Sequence, residues 1–179
     1  VKQARAQGID VCNTPGANAY AVSELAVLLM LAVGRCLLCH ELELRKGVWS
    51  REIFTSQSRS LNHKVVGLVG GGNIGRQVAR KVQAFGARVQ YYDPFRLKPE
   101  MEKEFDMEYV DYETLLATSD VISFHVPLVD STRHMLNKEN IKTVKKGAII
   151  INTSRSGIVE DEAIVDARKA GLIAGAGLD

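Results

Sequence analysis

No apolar run in this chain is long enough to cross a bilayer. The longest, Leu25 to Gly34, is flanked by Glu24 and Arg35 and falls short of the roughly 20 residues that a spanning helix needs. The opening VKQARAQGID has the character of neither a signal peptide nor a transit peptide. An excess of one charge is also missing. The 23 Lys and Arg against 21 Asp and Glu leave a net charge of +2, and no basic stripe interleaves with aromatic residues. Neither nucleic acid nor membrane is therefore an expected partner. Cysteine is scarce and odd in number: Cys12, Cys36 and Cys39. That argues against a disulfide scaffold and for a reducing compartment, so a cytoplasmic location is expected. Cys36 and Cys39 form a CxxC, but inside a helical pattern and with no second pair. Two small residues on one helix face and a zinc or redox site both remain open. No pair of histidines or acids has metal-ligand spacing, so no metal is expected. What is present, 46% apolar residues in a chain of 179, suffices for one domain with a real core.

The chain is organised around Val65 to Val82, VVGLVGGGNIGRQVARKV. Val65 to Val69 read as a short buried strand. Gly70, Gly72 and Gly75 follow in GxGxxG spacing, and Ile74, Val78, Ala79 and Val82 recur at helical spacing. The glycines thus lie on a strand-to-helix turn, where a dinucleotide pyrophosphate can bind. Gly70 permits the tight turn, Gly72 lets the backbone approach the phosphates, and Gly75 lets helix and strand pack closely. The helix N-terminus offers unpaired N–H groups and partial positive charge. A second strand pattern, Ala87 to Tyr92, runs into Asp93, eighteen positions after Gly75. An acid there is placed to accept hydrogen bonds from the adenosine ribose.

On either side of this unit the pattern is alternating. Val1 to Gln7 has helical composition, Ile9 to Cys12 reads as a short strand, and Asn13-Thr14-Pro15-Gly16 is a turn. A domain rarely begins in the middle of a helix, so further residues are expected upstream. Residues Ala21 to Lys46 predict one long helix, buried in its apolar first half and exposed in its charged second half, with Gly47 as the stop. Trp49 and a polar loop to His63 follow. This helix and arm suit either a dimer contact or a simple covering role. Pro94 to Phe105 reads as a charged connector and Glu108 to Val110 as a short strand. Asp111 caps a helix to Ala117. Val121 to Phe124 is a strand, Lys138 to Val144 a short helix, Ala148 to Asn152 a buried strand, Asp161 to Ala170 a helix, and Ile173 to Leu178 a last strand. The alternation predicts an α/β fold with a doubly wound parallel sheet in three layers. Ligands bind such sheets beyond the carboxyl ends of the strands. Asp93, His125 to Leu128, Thr153 to Arg155 and Asp179 all lie just past strand ends, and are expected to share one site.

Arg155, in Asn152-Thr153-Ser154-Arg155-Ser156-Gly157, carries a permanent charge and a forked set of donors suited to a carboxylate or a polarised carbonyl. The alternative is a surface arginine capping its loop, and Thr153 and Ser154 could bind cofactor or shape the turn. His125 precedes the rigid Val126-Pro127 with no carboxylate nearby in sequence. That favours a structural or cofactor-wall role over general acid. His40, His63 and His134 lie in polar segments and are expected to be exposed.

NTPGANAYAVSELAVLLMLAVGR, GLVGGGNIG, YYDP, HVPL, NTSRSGIVEDEAI and AGAGLD, in this order and spacing, resemble the D-isomer-specific 2-hydroxyacid dehydrogenases across nearly the whole chain. The resemblance implies a Rossmann-type NAD-binding domain over residues 19–179, with a linking helix and arm at 19–62. Residues 1–18 would be a remnant of the substrate domain and hinge. It implies NAD as cofactor, a small 2-oxoacid or 2-hydroxyacid as substrate, and a homodimer or higher assembly. Gly70, Gly72, Asn73, Ile74 and Gly75 would hold the pyrophosphate, and Asp93 the adenosine ribose. Val126 and Pro127 would line the adenine side. Thr153, Ser154 and Arg155 would approach the nicotinamide, with Arg155 catalytic on the substrate carboxylate and carbonyl. Asp179 would hold the carboxamide. Ala21 departs from the family's helix-capping serine. The family's catalytic glutamate and histidine would come after Asp179. Dimeric corepressors that sense NAD(H) share this fold and form the alternative reading.

Overall fold

The computed structural model describes residues 1–49 and 51–179. Six strands form one parallel sheet: β1 (Val65–Val69), β2 (Arg88–Tyr92), β3 (Met107–Tyr109), β4 (Val121–Phe124), β5 (Ala148–Asn152) and β6 (Ile173–Leu178), in the order β3-β2-β1-β4-β5-β6. That is the strand order of a Rossmann-type sheet, with its switch point between β1 and β4. The strands are nearly continuous apolar runs because both faces are covered. Val66, Leu68, Val121, Ile149 and Ile151 pack into one core, while Val69, Ile122, Phe124, Ala148 and Ile150 pack into the other.

The first face is covered by α2 (Ala19–Gly34) and α5 (Asn73–Ala84), supplying Ala26, Val27 and Met30, and Val78, Ala79 and Val82. The second is covered by α7 (Tyr112–Thr118) and α8 (Asp161–Lys169), supplying Leu115 and Leu116, and Ala163, Ile164 and Ala167. The expected three layers are present. Asp111 caps α7 as its sequence position suggests, its carboxylate accepting the Thr114 N–H at 2.8 Å.

Several local expectations are corrected. The helix expected from Ala21 to Lys46 is two: α2, and α3 (Leu37–Arg45), bent by 62°. The break is at Cys36, which takes the left-handed conformation (φ +53°) as the residue capping α3. The CxxC thus begins at a helix start, not inside a helix. α2 begins at Ala19, so Ala21 is already inside it and no capping serine is called for there. Nor is α2 buried all round: Ala26, Val27 and Met30 face the sheet, whereas Tyr20 and Leu28 are exposed. No single helix among the described residues is long and apolar enough to cross a membrane.

Residues Ile9 to Cys12 form no strand: they pair with neither edge of the sheet, β3 or β6. They follow the short α1 (Lys2–Ala6) as exposed chain. The helix expected over Lys138 to Val144 is a 3-10 turn, Asn140–Thr143. The 94–105 connector contains α6 (Pro99–Phe105), opened by Pro99 at the first helical position, where its missing N–H costs nothing. A short helix α4 (Arg51–Thr55) lies in the arm.

Candidate active site

The glycine turn joins β1 to α5. Gly70 has φ +111°, and a Cβ there would lie 2.7 Å from the His125 carbonyl oxygen. Gly75 has its α-carbon against the turn itself: a Cβ would lie 2.1 Å from the Gly70 carbonyl oxygen. Gly72 is different. No heavy atom lies within 4 Å of where its Cβ would be. The first and third glycines are therefore required by the protein's own packing, and the second leaves an open surface over the helix end. Gly72 caps α5 and no side chain occupies that position, so the first N–H groups of Asn73 and Ile74 remain available to an anion. Arg76 adds a contact that the motif glycines do not announce. Its guanidinium donates to the Gly71 carbonyl at 3.1 Å and to Asn73 Oδ1 at 2.6 Å. It places a cation at the same helix end. The available signal was its position immediately after the last motif glycine.

Asp93, beyond β2, is tied to this turn. Its Oδ2 accepts the Gly71 N–H and its Oδ1 the Phe95 N–H, both at 2.9 Å. Arg96, three residues on, turns away from it and grips Glu102 with two bonds, at 2.8 and 3.0 Å. The Tyr91 hydroxyl donates to the same carboxylate at 2.7 Å and accepts the Leu97 N–H at 2.9 Å. The Arg96 bonds, followed by that of Tyr91, hold the Glu102 carboxyl down at about 2.

Beyond β4, Val126 is buried and Pro127 exposed, and the Pro127 carbonyl accepts the Thr132 hydroxyl at 2.6 Å. His125 is anchored by its N–H to the Val69 carbonyl at 2.8 Å. Its ring Nε2 meets the Ser123 hydroxyl at 2.9 Å. Burial pushes the imidazole down to about 4, so it is neutral near pH 7. Its Nδ1 is out of water and has no partner.

Beyond β5, the loop is built by Asn152, which the sequence reading did not choose. Its Oδ1 accepts the Ser154 N–H and hydroxyl at 3.0 and 2.8 Å, and its Nδ2 donates to the Arg155 carbonyl at 2.9 Å. This buried amide folds the loop back on itself, and the signal was an Asn at a strand end, a common turn builder. Thr153 is buried with an unpartnered hydroxyl. The Ser154 hydroxyl also reaches the Phe124 carbonyl at 3.2 Å, linking this loop to β4. The Arg155 side chain is exposed, and its one hydrogen bond goes to the Ser154 carbonyl at 2.7 Å. Asp179 is exposed after β6, its N–H bonded to the Asn152 carbonyl at 3.1 Å. The sequence-predicted residues thus lie along one edge of the sheet, cross-linked from Asp93 through the glycine turn and His125 to Asn152 and Asp179. His63 and His134 are exposed, His134 lying in the connection after β4 with its N–H bonded to the Gly157 carbonyl at 2.8 Å, and His40 is half-buried on α3 against Phe54.

A turn of this shape, uncapped and opening on an acid at the next strand, fits a dinucleotide. The sequence profile of the D-isomer specific 2-hydroxyacid dehydrogenase NAD binding domain matches residues 27–179. The chain belongs to this dehydrogenase family. The hydroxypyruvate reductase of Thermotoga maritima is 44% identical over 179 residues, covering all of this chain and 56% of that protein. The glyoxylate reductase of Thermococcus litoralis is 42% identical over 186 residues, with 100% and 55% covered. The D-lactate dehydrogenase of Lactobacillus jensenii, solved with NAD+, has a TM-score of 0.87 and 34% identity over 99% of this chain and 53% of that one. The chain therefore spans little more than half the length of these dehydrogenase relatives. NAD is the cofactor of this domain family, and the open face at Gly72 together with the free helix N-terminus fits its pyrophosphate.

Proposed function

We propose that this NAD-binding domain serves an oxidoreductase that interconverts a D-2-hydroxyacid and a 2-oxoacid, of the size of glyoxylate or hydroxypyruvate. The observation that carries the reading is Arg155: a permanent cation, unpaired with any acid among the described residues, held by Asn152 on the edge of the sheet that carries the glycine turn. The N–H groups of Asn73 and Ile74, helped by Arg76, bind the pyrophosphate. The Asp93 carboxylate accepts from the adenosine ribose and favours NAD over NADP, because it would repel a 2′-phosphate. Val126 and Pro127 wall the adenine side, Thr153 and Ser154 flank the nicotinamide end, and Asp179 accepts from the carboxamide. When bound, the cofactor supplies or accepts a hydride at its nicotinamide ring. Arg155 orients the substrate carboxylate and stabilises charge growing on the C2 oxygen. His125, neutral and bonded to Ser123, is a poor proton donor, so the general acid is placed outside residues 1–179.

Residues 1–18 are assigned to the hinge and substrate domain, and residues 19–62 to a linking helix and arm. The three free cysteines suit the reducing cytoplasm. The arm exposes Leu37, Leu38, Leu42, Leu44 and Trp49, the last at 80%. Exposed apolar side chains concentrated on one arm suit an interaction surface, and a second copy of the chain is its proposed cover. The deciding experiment is oxidation of NADH by the full-length protein across a panel of 2-oxoacids. Turnover of at least one supports the reading. Its absence alongside NADH-dependent binding of a peptide would favour a corepressor.

A further inference from the structure

α2 and α3 meet at a corner that carries two thiols and three cations. The turn leading into α2 lies beside the glycine turn, where a Cβ on Gly16 would be 3.2 Å from Asn73 Nδ2. The 16 residues of α2 carry the chain about 24 Å onward, so the corner at Cys36 is remote from the cofactor edge. Cys36 caps α3 with a left-handed backbone (φ +53°), its carbonyl accepts the His40 N–H at 3.0 Å, and Cys39 is the third residue of the helix. The two side chains therefore stand on one turn. Positions three apart on a helix have Cβ atoms about 5–6 Å apart, close to the roughly 4 Å that a disulfide spans. Cys39 is exposed, Cys36 is half-buried, and both are free thiols. The cations are Arg35, Arg59 and Arg168. Arg35 precedes Cys36 in sequence, and the Arg59 N–H is bonded to the Gly34 carbonyl at 2.7 Å. The Arg59 guanidinium donates to the Gly147 carbonyl, and none of the three pairs with an acid among the described residues. Burial pushes the Cys36 thiol up and Cys39 adds to the rise, while Arg168, Arg59 and Arg35 favour its thiolate. Thiols in partly exposed, electropositive surroundings are the ones that react.

We propose that Cys36 and Cys39 form a redox site that exchanges with small anionic disulfides, of which glutathione disulfide is the model, and closes as an internal disulfide. The site goes beyond the dehydrogenase reading and does not rest on it. The exposed thiol opens the exchange. Cys39 gives its proton to water, and its thiolate attacks one sulfur of the incoming disulfide. That S–S bond breaks, and the leaving thiolate takes up a proton. Cys36 then loses its proton, attacks the Cys39 sulfur and expels the second half of the reagent as a thiol. Two protein thiols are thereby oxidised to one disulfide, and the reagent disulfide is reduced to two thiols. The unpaired guanidiniums select the reagent, because they draw in carboxylates and turn away cations. Zinc is the other use of such a pair. It needs further ligands, and no group of three His, Cys, Asp or Glu able to hold a metal is present among the described residues.

Peptide mass spectrometry of the full-length protein tests this, with Cys12→Ser removing the other exposed thiol of the chain. Glutathione disulfide should convert the pair to an internal disulfide, with loss of two hydrogens and no retained glutathione. In Cys36→Ser the exchange should stop at a mixed disulfide on Cys39. Cys39→Ser should react about tenfold more slowly or less, since its remaining thiol is half-buried. Rates with glutathione disulfide, neutral hydroxyethyl disulfide and cationic cystamine would each be divided by the rate of the same reagent with a free cysteine peptide. The normalised anionic rate should exceed the cationic one about tenfold or more in dilute buffer, converge with it in about 0.5 M salt, and fall in Arg59→Gln and Arg168→Gln. A pair that stays reduced, a pair that retains two glutathiones, a Cys36→Ser variant that traps no adduct, or equal normalised rates for the anionic and cationic reagents would overturn the inference.

Discussion

The Asp93 carboxylate accepts the Gly71 N–H at 2.9 Å and so ties the end of β2 to the glycine turn after β1. One side chain therefore shapes the cradle, and under the proposed function it would also accept from the ribose. Removing it would cost that ribose bond, a charged hydrogen bond of roughly 1.5–3 kcal/mol, and would also loosen the turn. Asp93→Ala should weaken NAD binding by about ten- to hundredfold. Asp93→Asn keeps an acceptor and removes the repulsion of a 2′-phosphate, so it should narrow the gap between NAD and NADP. Parallel titration with both cofactors checks this. A wild type with equal affinity for the two would contradict the assigned role.

The three motif glycines predict a separation of stability from binding. At Gly75 a methyl group would lie 2.1 Å from a backbone oxygen, and the backbone cannot step aside cheaply. Gly75→Ala should cost at least about 1–3 kcal/mol of stability. At Gly72 the backbone is extended (φ −68°, ψ −167°) and the space is open. Gly72→Ala should stay within about 1 kcal/mol of wild type in stability, yet lose tenfold or more in NADH affinity, because the methyl would occupy the pyrophosphate's approach. Urea melts beside NADH titrations read the two effects separately.

Glu102 links acid stability to cofactor choice. Its carboxyl is held at about 2 in the fold, against an ordinary value of 4.5, first by Arg96 and then by Tyr91. A depressed carboxyl stabilises the fold above its unfolded value, and that contribution is lost as pH falls from about 4.5 toward 2. Glu102→Gln should therefore flatten the fall of stability across this window, as measured by urea melts at pH 7, 4 and 3. The same variant frees Arg96, three residues from Asp93. Relative affinity for NADP should rise.

How much of this was legible in the sequence depends on whether the cause was local. The β1–α5 turn was readable because its strand, glycine spacing and helical period lie within one short segment. The end of β2 at Asp93 was readable for the same reason. The split of the long helix was not, since the apolar pattern runs through Cys36 and a non-glycine residue carries no signal of a left-handed backbone. Ile9 to Cys12 had strand composition, but a strand exists only if an edge is free beside it, and that is decided by the rest of the sheet. That Arg96 is held by Glu102 and not by Asp93, three residues before it, depends on Tyr91 rising from β2 to meet α6. Asn152 went unnoticed for a related reason. Its bonds to Ser154 and Arg155 are local, but its burial comes from β4 and β6 on either side.

Arg155 separates binding from chemistry. Its side chain makes one bond, to its neighbour's carbonyl, and it helps build neither the glycine turn nor the Asp93 anchor. Arg155→Ala in the full-length protein should thus leave NADH affinity within a few-fold and lower kcat/KM for a 2-oxoacid by about 10²–10³, in the range seen for loss of a charge-stabilising donor. Arg155→Lys keeps the charge but not the fork, and should recover only part of the loss. Residues 1–179 alone should bind NADH and turn over no 2-oxoacid. His125 is neutral down to about pH 4 and its Nε2 is engaged by Ser123. Reduction of a ketone needs a proton donor, whose loss costs about 10²–10⁴-fold, and a second surface to hold the substrate against the nicotinamide. NADH titration beside NADH oxidation, run on both lengths of chain, distinguishes these cases. Robust turnover by residues 1–179 would mean that His125 or another residue here is the acid, and its loss in His125→Gln would single out His125.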